Sequence, residues 1–206
     1  TPENIRKFHP NIIVSSTGSA PLLPPIAGLK DRIDNENHNI YSILGMISHI
    51  NDFPKDLEGK KVVVVGGGAV GLDVVEFFAD RNADISIVEM MDQIGRDLDP
   101  VSKNDTKTMM KKHNVHQLTK TALLEVKDSS FLVRGDGEPY ELPFEYGFVC
   151  LGMRAQGQLY QNLTEEFSSE DVEIMNIGDS QRARRIIDGT QEGRNILTVL
   201  EQKGYL

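Results

Sequence analysis

A run of four valines that leads into a glycine-rich turn constrains this chain more than any other feature. Lys61–Val65 reads as a buried strand, and Gly66-x-Gly68-x-x-Gly71 follows it directly. An amphipathic segment and a second apolar strand come next, and that strand ends in Glu89, eighteen residues after Gly71. This order of strand, turn, helix, strand and acid is the one that a dinucleotide-binding βαβ unit requires.

Each glycine has a separate physical role in such a unit. Gly66 permits the tight turn, Gly68 leaves bare backbone for a pyrophosphate, and Gly71 lets the helix pack closely on the strand. Ala69 and Val70 fall in the first turn of the predicted helix. The N–H groups of that turn and the positive end of the helix dipole attract phosphates.

Glu89 is placed to accept a hydrogen bond from a ribose 2′-hydroxyl, and a carboxylate there repels a 2′-phosphate. Met90 follows it, and the nearest basic residue downstream is Arg96. The sequence therefore predicts NAD binding with NADH preferred over NADPH, and Gly67, Met90 and Arg96 complete the predicted site. Two alternatives remain: an S-adenosylmethionine enzyme, which combines the same two features, and a turn that binds nothing.

Composition excludes several classes of function. The net charge of −9 and the isoelectric point near 5.0 argue against a nucleic-acid or anionic-membrane partner. No apolar run reaches the ~20 residues that span a bilayer, and no secretory signal is recognisable, so we expect a cytoplasmic chain. The single Cys150 excludes an internal disulfide and reads as a small buried hydrophobe. His113 and His116 lack neighbouring ligands, so no metal site is predicted.

The pattern of elements predicts an α/β fold: a Rossmann-like parallel sheet with helices on both faces and an antiparallel β-meander in one crossover. Strands are predicted at 11–16, 61–65, 84–89, 115–118 and 172–177, with helices at 41–50, 69–80, about 101–113 and from about 185 onward. Three short strands are predicted at 121–127, 131–134 and 140–144, and the turn residues between them indicate the meander. A buried strand at 146–151 is expected to close it.

Three more turns follow apolar strands. These are Thr17-Gly18, Leu151-Gly152 and Gly178-Asp179. A glycine at the end of a strand lets a cofactor approach the backbone, and an adjacent acid accepts hydrogen bonds from ribityl or ribose hydroxyls. Each motif alone is typical of an ordinary turn. Together they add Thr17, Gly18, Gly152, Gly178 and Asp179 to the candidate cofactor-binding residues.

In combination these motifs resemble the flavoproteins with two dinucleotide-binding domains, in which an NAD(P)-binding domain is inserted into an FAD-binding domain. The sequence is similar in particular to the C-terminal region of the NADH:flavin oxidoreductases. That group includes 2,4-dienoyl-CoA reductase, enoate reductase and trimethylamine dehydrogenase. It is carried by four stretches. They are Ile13-Val14-Ser15-Ser16-Thr17-Gly18, Gly66-Gly67-Gly68-Ala69-Val70-Gly71-Leu72-Asp73, Val88 to Asp97, and Asn176-Ile177-Gly178-Asp179 with Arg184 to Gly193.

The resemblance implies a remnant of an FAD domain and linker at 1–55, an NAD-binding domain at 56–146 and a return to the FAD domain at 147–206. The family's glycine fingerprint for FAD, its FMN barrel and its iron–sulfur cysteines do not occur in the sequence. We therefore expect a piece of a longer flavin oxidoreductase that presents NADH to FAD, with the remaining FAD and FMN-barrel domains as partners. Alone it is expected to be inactive and to lose FAD, and no catalytic acid or base is nominated. The alternatives are a regulatory NAD-binding module without catalysis and a single-domain dehydrogenase.

Overall fold

A five-stranded parallel sheet forms the centre of the longer part of the chain. The computed structural model describes residues 1–205. They divide into two compact units: one comprises residues 21–152, and the other comprises residues 1–20 and 153–205. The larger unit extends beyond the predicted 56–146 range at both ends. Which cofactor belongs to which part of the chain stays a prediction.

The helices are α1 (Pro2–Arg6), α2 (Leu29–Arg32), α3 (Ile43–Ser48), α4 (Ala69–Ala79), α5 (Pro100–Lys112), α6 (Gln158–Glu166) and α7 (Ile186–Gln202). The strands are β1 (Ile12–Ser15), β2 (Ser19–Pro21), β3 (Ile40–Tyr41), β4 (Lys61–Val65), β5 (Asp84–Val88), β6 (His116–Leu118), β7 (Ala122–Val126), β8 (Ser130–Arg134), β9 (Tyr140–Pro143), β10 (Tyr146–Val149), β11 (Met153–Ala155) and β12 (Glu173–Asn176). A 3₁₀ turn covers Gly178–Ser180.

The central sheet has the order β3-β10-β4-β5-β6, and each pair of neighbours is parallel. Its middle strand, β4, is buried from Val62 onward. Successive side chains of a strand point to opposite faces, and a parallel strand covered on both faces needs a continuous apolar run. The four valines supply that run, which is why this segment could be recognised from the sequence.

Different elements cover the two faces of the central sheet. On one face, Val62 and Val64 pack in a cluster with Val74 and Phe78 of α4 and with Met110 of α5. On the other face, the cluster contains Val63, Val65 and Val149 of the sheet, Phe131 and Val133 of the meander, and Leu29 of α2. The predicted fold class is thus confirmed, with the meander providing most of the cover on the second face.

The meander itself is the three-stranded antiparallel sheet β7-β8-β9, as predicted. The prediction that the next strand closes this meander is wrong. Strand β10 instead enters the central sheet, where it pairs in parallel with β3 and β4. Three of its four residues are buried. A strand buried on both faces is suited to a parallel sheet rather than to the edge of a hairpin.

In the smaller unit, β1 and β12 form a parallel pair in which Ile12 lies opposite Glu173 and Ser15 lies opposite Asn176. Strand β2 pairs with β11. Helix α7 contacts the turn that follows β12. The carboxyl ends of β1 and β12 therefore meet at one edge of this small sheet.

Candidate dinucleotide site

The turn between β4 and α4 (residues 66–71, hereafter the glycine-rich turn) leaves no room for a side chain at its first and last positions. Gly66 has φ +108°, and a Cβ added there would lie 2.2 Å from the carbonyl oxygen of Cys150. A Cβ on Gly71 would lie 1.9 Å from the carbonyl oxygen of Gly66. The strand, the turn and the helix thus approach one another at backbone distance, and the fold itself requires glycine at both positions.

Gly68 differs from these two glycines because it faces open space. It is the N-cap of α4 with φ −78° and ψ −178°, which is ordinary extended backbone, and a Cβ there would meet nothing within 4 Å. The first intrahelical bond runs from Leu72 N–H to Gly68 O. The N–H groups of Ala69, Val70 and Gly71 precede it and have no intrahelical acceptor. This open helix N-terminus can hold an anion.

Glu89 follows β5 and lies directly beside the glycine-rich turn. Its Oε2 atom accepts a hydrogen bond of 2.6 Å from the backbone N–H of Gly67, and its Oε1 atom accepts one of 2.7 Å from Met91 N–H. The side chain is half-buried. A carboxylate offers about four lone-pair sites, so each oxygen can accept a further hydrogen bond from a ligand.

The segment 90–98, hereafter the loop after β5, is tied to the same turn. Gly95 N–H donates a bond of 2.7 Å to the carbonyl oxygen of Gly67, and a Cβ on Gly67 would lie 3.1 Å from Ile94 Cγ1. Met90 and Arg96 are exposed on this loop. The structure therefore brings Gly67, Gly68 and Glu89 together, and it leaves the side chains of Met90 and Arg96 in solvent.

Two of the other predicted turns meet in the smaller unit, at the carboxyl ends of β1 and β12. Ser19 Oγ donates a hydrogen bond of 3.2 Å to Asp179 Oδ2, which joins the two turns. Thr17 Oγ1 donates a bond of 2.6 Å to the carbonyl oxygen of Gln156. Gly18 has φ +75°, and nothing lies within 4 Å of an added Cβ. A ligand can therefore approach the backbone closely at Gly18.

Glu192 of α7 organises the Gly178-Asp179 turn, although it was not among the predicted site residues. Its Oε2 atom accepts a hydrogen bond of 2.6 Å from Gly178 N–H, and its Oε1 atom pairs with the guanidinium of Arg184. The Gly178 N–H bond and then Arg184 hold the pKa of this carboxyl below its usual value. Glu192 is the seventh residue of α7, and its spacing from the Gly-Asp turn follows no common motif, so the sequence offered no signal for this contact.

Gly152 lies in the larger unit, just after β10. It has φ +103° with nothing within 4 Å of an added Cβ, and its carbonyl oxygen accepts a bond of 2.9 Å from Leu22 N–H. Cys150 precedes it and is 8% exposed. Burial, with a smaller contribution from the charge of Asp73, raises the pKa of its thiol to about 12. A thiol of this kind is protonated at neutral pH and is a poor nucleophile.

Residues 1–205 contain neither an evident metal site nor a membrane-spanning helix. No group of three or more His, Cys, Asp or Glu side chains there has an arrangement that could hold a metal ion. In the same residues, the helices are too short or too polar to cross a membrane.

Known proteins with similar sequences are oxidoreductases by name. The chain is 26% identical to the NADH oxidase of Thermoanaerobacter brockii over 93% of its own length and 28% of that protein. It is 26% identical to the metal reductase of Desulforamulus reducens, over 95% of the chain and 32% of that protein. The chain thus spans less than a third of the length of these relatives.

A 2-naphthoyl-CoA reductase structure superposes with a TM-score of 0.75 at 21% identity. The superposition covers 94% of this chain and 27% of that one, and it shows a shared fold. Residues 5–176, most of the chain, match the family described as Pyridine nucleotide-disulphide oxidoreductase. This family implies binding of FAD and a pyridine nucleotide, and its members are redox proteins. The chain belongs to the pyridine nucleotide-disulphide oxidoreductase family.

Proposed function

We propose that this chain binds NADH at the glycine-rich turn and presents it to FAD, within a longer flavin-dependent oxidoreductase. The observation that carries the proposal is the contrast among the three fingerprint glycines. Side chains at Gly66 and Gly71 are excluded by the fold, but Gly68 faces empty space in unstrained extended backbone. Glycine at position 68 is explained by a ligand that must approach the backbone there.

The pyrophosphate of NADH fits the space above Gly68. The free N–H groups of Ala69 and Val70 would donate hydrogen bonds to it, and the positive end of the α4 dipole would attract its charge. No basic side chain is needed for this contact, since the backbone of a helix N-terminus supplies both the donors and the field.

Glu89 would accept a hydrogen bond from the 2′-hydroxyl of the adenosine ribose. Its oxygens accept bonds from the backbone N–H groups of Gly67 and Met91, which hold the carboxylate beside the turn. A hydrogen bond to a charged group contributes about 1.5–3 kcal/mol. A 2′-phosphate would meet the same carboxylate and be repelled, so we expect the site to prefer NADH to NADPH.

On the flavin side, we propose that Thr17-Gly18, Gly152 and Gly178-Asp179 contact FAD through bare backbone and through the Asp179 carboxylate. When bound, the nicotinamide supplies a hydride and the flavin accepts it. The residues of this chain bind and orient the two cofactors, and none is proposed to transfer a proton. We propose further that 1–55 and 147–206 belong to an FAD domain and that 56–146 is the NAD domain. The rest of the FAD domain and an FMN-barrel domain would then lie elsewhere in the longer protein.

Calorimetric titration of the purified chain with NADH and with NADPH tests the proposal. We expect saturable binding of NADH with at least about tenfold weaker binding of NADPH, which corresponds to the loss of one charged hydrogen bond. Equal or tighter binding of NADPH would contradict the role given to Glu89. The absence of binding by either nucleotide would contradict the proposal as a whole.

A further inference from the structure

A cavity of about 500 Å³ lies behind the loop after β5, in the larger unit. Its walls are residues 92–95 and Leu98 of that loop, one side of α5, and the end of β6. Neither the glycine-rich turn nor Glu89 lines it, although two lining residues, Ile94 and Gly95, also contact Gly67 of that turn. Its volume falls in the range of small-molecule sites.

The polar lining of this cavity has unused hydrogen-bonding capacity. Lys103 and Lys107 lie one turn apart on α5, which places both ammonium groups on the same side of the helix. Among residues 1–205, neither lysine forms a side-chain hydrogen bond or ion pair, nor do the lining amides of Gln93, Asn104 and Gln117. Lys103 is half-buried, whereas Lys107 and the three amides are exposed to solvent, so a ligand in the cavity can replace the water that solvates them.

The charge and the apolar part of the lining indicate what kind of ligand fits. Two lysines and one acid, Asp92, give the lining a net charge of +1, whereas the whole chain carries −9. Ile94, Leu98 and Met110 contribute apolar surface between the polar groups. Such a mixture suits a small molecule with an anionic group and an apolar body.

We infer that this cavity binds a small organic anion. Its phosphate or carboxylate lies between Lys103 and Lys107, and its apolar body packs on Ile94 and Leu98. The inference concerns a site distinct from that of NADH and holds whether or not NADH binds at the glycine-rich turn.

Phenyl phosphate is a suitable probe, with phenol and inorganic phosphate as the matched molecules that carry only one of its two parts. Binding is followed on the whole chain by calorimetry and by the amide NMR shifts of a ¹⁵N-labelled sample. We expect phenyl phosphate to bind more tightly than either partial probe and to shift the Gly95 and Gln117 amides. No saturable binding of phenyl phosphate at millimolar concentration would overturn the inference.

The double substitution Lys103→Gln with Lys107→Gln removes the proposed anion contact, and Lys111→Gln with Lys112→Gln is its control on the same helix outside the cavity. We expect the first pair to weaken phenyl phosphate binding at least about tenfold, because a charge-assisted hydrogen bond requires direct contact. We expect the control pair to change it less than about twofold, because lysines that do not line the cavity act only through an electrostatic field that salt screens over about 8 Å. Displacement of phenyl phosphate by saturating NADH, with no effect of the Lys103 and Lys107 changes, would place the anion at the glycine-rich turn and overturn the inference.

Discussion

The Oε2 atom of Glu89 accepts a hydrogen bond of 2.6 Å from the backbone N–H of Gly67. The residue proposed to bind the ribose therefore also holds the turn proposed to bind the pyrophosphate. With the second bond from Met91 N–H, the carboxylate connects the glycine-rich turn to the loop after β5. The two halves of the proposed adenosine diphosphate site are thus positioned by one side chain.

Substitution Glu89→Gln should reduce NADH affinity by about tenfold or more, because a glutamine amide has only one accepting oxygen for two backbone donors. Its NH₂ group would then oppose either Gly67 N–H or Met91 N–H. The preference for NADH over NADPH should narrow as the negative charge is lost. Calorimetric titration of both nucleotides measures the effect, and Glu138→Gln, an exposed acid between β8 and β9, is the control. Unchanged NADH affinity in the Glu89 variant would contradict this role.

Substitution Gly68→Val should abolish detectable NADH binding while the fold is retained. The valine would fill the space proposed for the pyrophosphate, but the backbone at Gly68 suits any residue and no protein atom lies within 4 Å. Gly137→Val is matched to it, since Gly137 also faces open space without a positive φ. Circular dichroism should be the same for both variants. A Gly68 variant that binds NADH normally would show that the nucleotide binds elsewhere.

Substitution Gly71→Ala should destabilise the protein by about 1–3 kcal/mol or more, because its Cβ would overlap the carbonyl oxygen of Gly66. Gly193 provides the comparison, as it lies in α7 with nothing within 4 Å of an added Cβ. There, Gly→Ala should stabilise the helix by about 0.5–1 kcal/mol. Urea unfolding of the two variants tests the opposite signs, and equal free energies of unfolding would refute the steric explanation.

The thiol of Cys150 should resist alkylation in the folded protein at pH 8.5 and react once urea unfolds it. Burial raises its pKa from 9.0 to about 12, so the folded state holds the neutral form. The contribution to stability is complete below pH 9.0 and is lost as the pH rises towards 12, because only the unfolded state can ionise in that interval. Mass spectrometry after iodoacetamide treatment measures the reaction. Rapid alkylation without urea would show that the thiol is accessible.

The purified chain should be colourless and should not oxidise NADH. The sequence contains one glycine fingerprint, and its place between the Thr17-Gly18 and Leu151-Gly152 turns suits the nicotinamide nucleotide. No second glycine fingerprint in the sequence could bind the pyrophosphate of FAD. Without an oriented acceptor, hydride transfer is not expected. A visible spectrum after gel filtration decides the matter: a stoichiometric yellow cofactor would show that these residues suffice to hold flavin.

The central part of the fold could be predicted because its signals are local and repeated. The valine run, the apolar stripe of α4 and the turn residues of the meander each specify one element. Short elements such as β3 were not predicted, since two residues carry no periodicity and their pairing with β10 is a long-range contact. Helix α6 was also missed, because only Leu163 within it is buried and its other positions are mostly polar.

The site shows the same division between local and long-range information. The steric roles of Gly66 and Gly71 follow from their spacing, and the structure places the intervening Gly67 beside Glu89. The contacts of Glu192 with Gly178 and Arg184 join segments whose spacing follows no common motif, so no pattern indicated them. The cavity behind the loop after β5 likewise depends on how α5 lies against β6, which the sequence does not state.

The position of β10 has a consequence for how the chain acquires its structure. This strand lies between β3 and β4 in space, yet Tyr146 pairs opposite Val62, 84 residues earlier. During synthesis, β3 and β4 therefore each keep an unpaired edge until the meander and then β10 have been translated. Such long-range closure slows folding, and an open edge invites pairing with other chains. Nascent chains halted before residue 146 should be the species that aggregates and that chaperones retain.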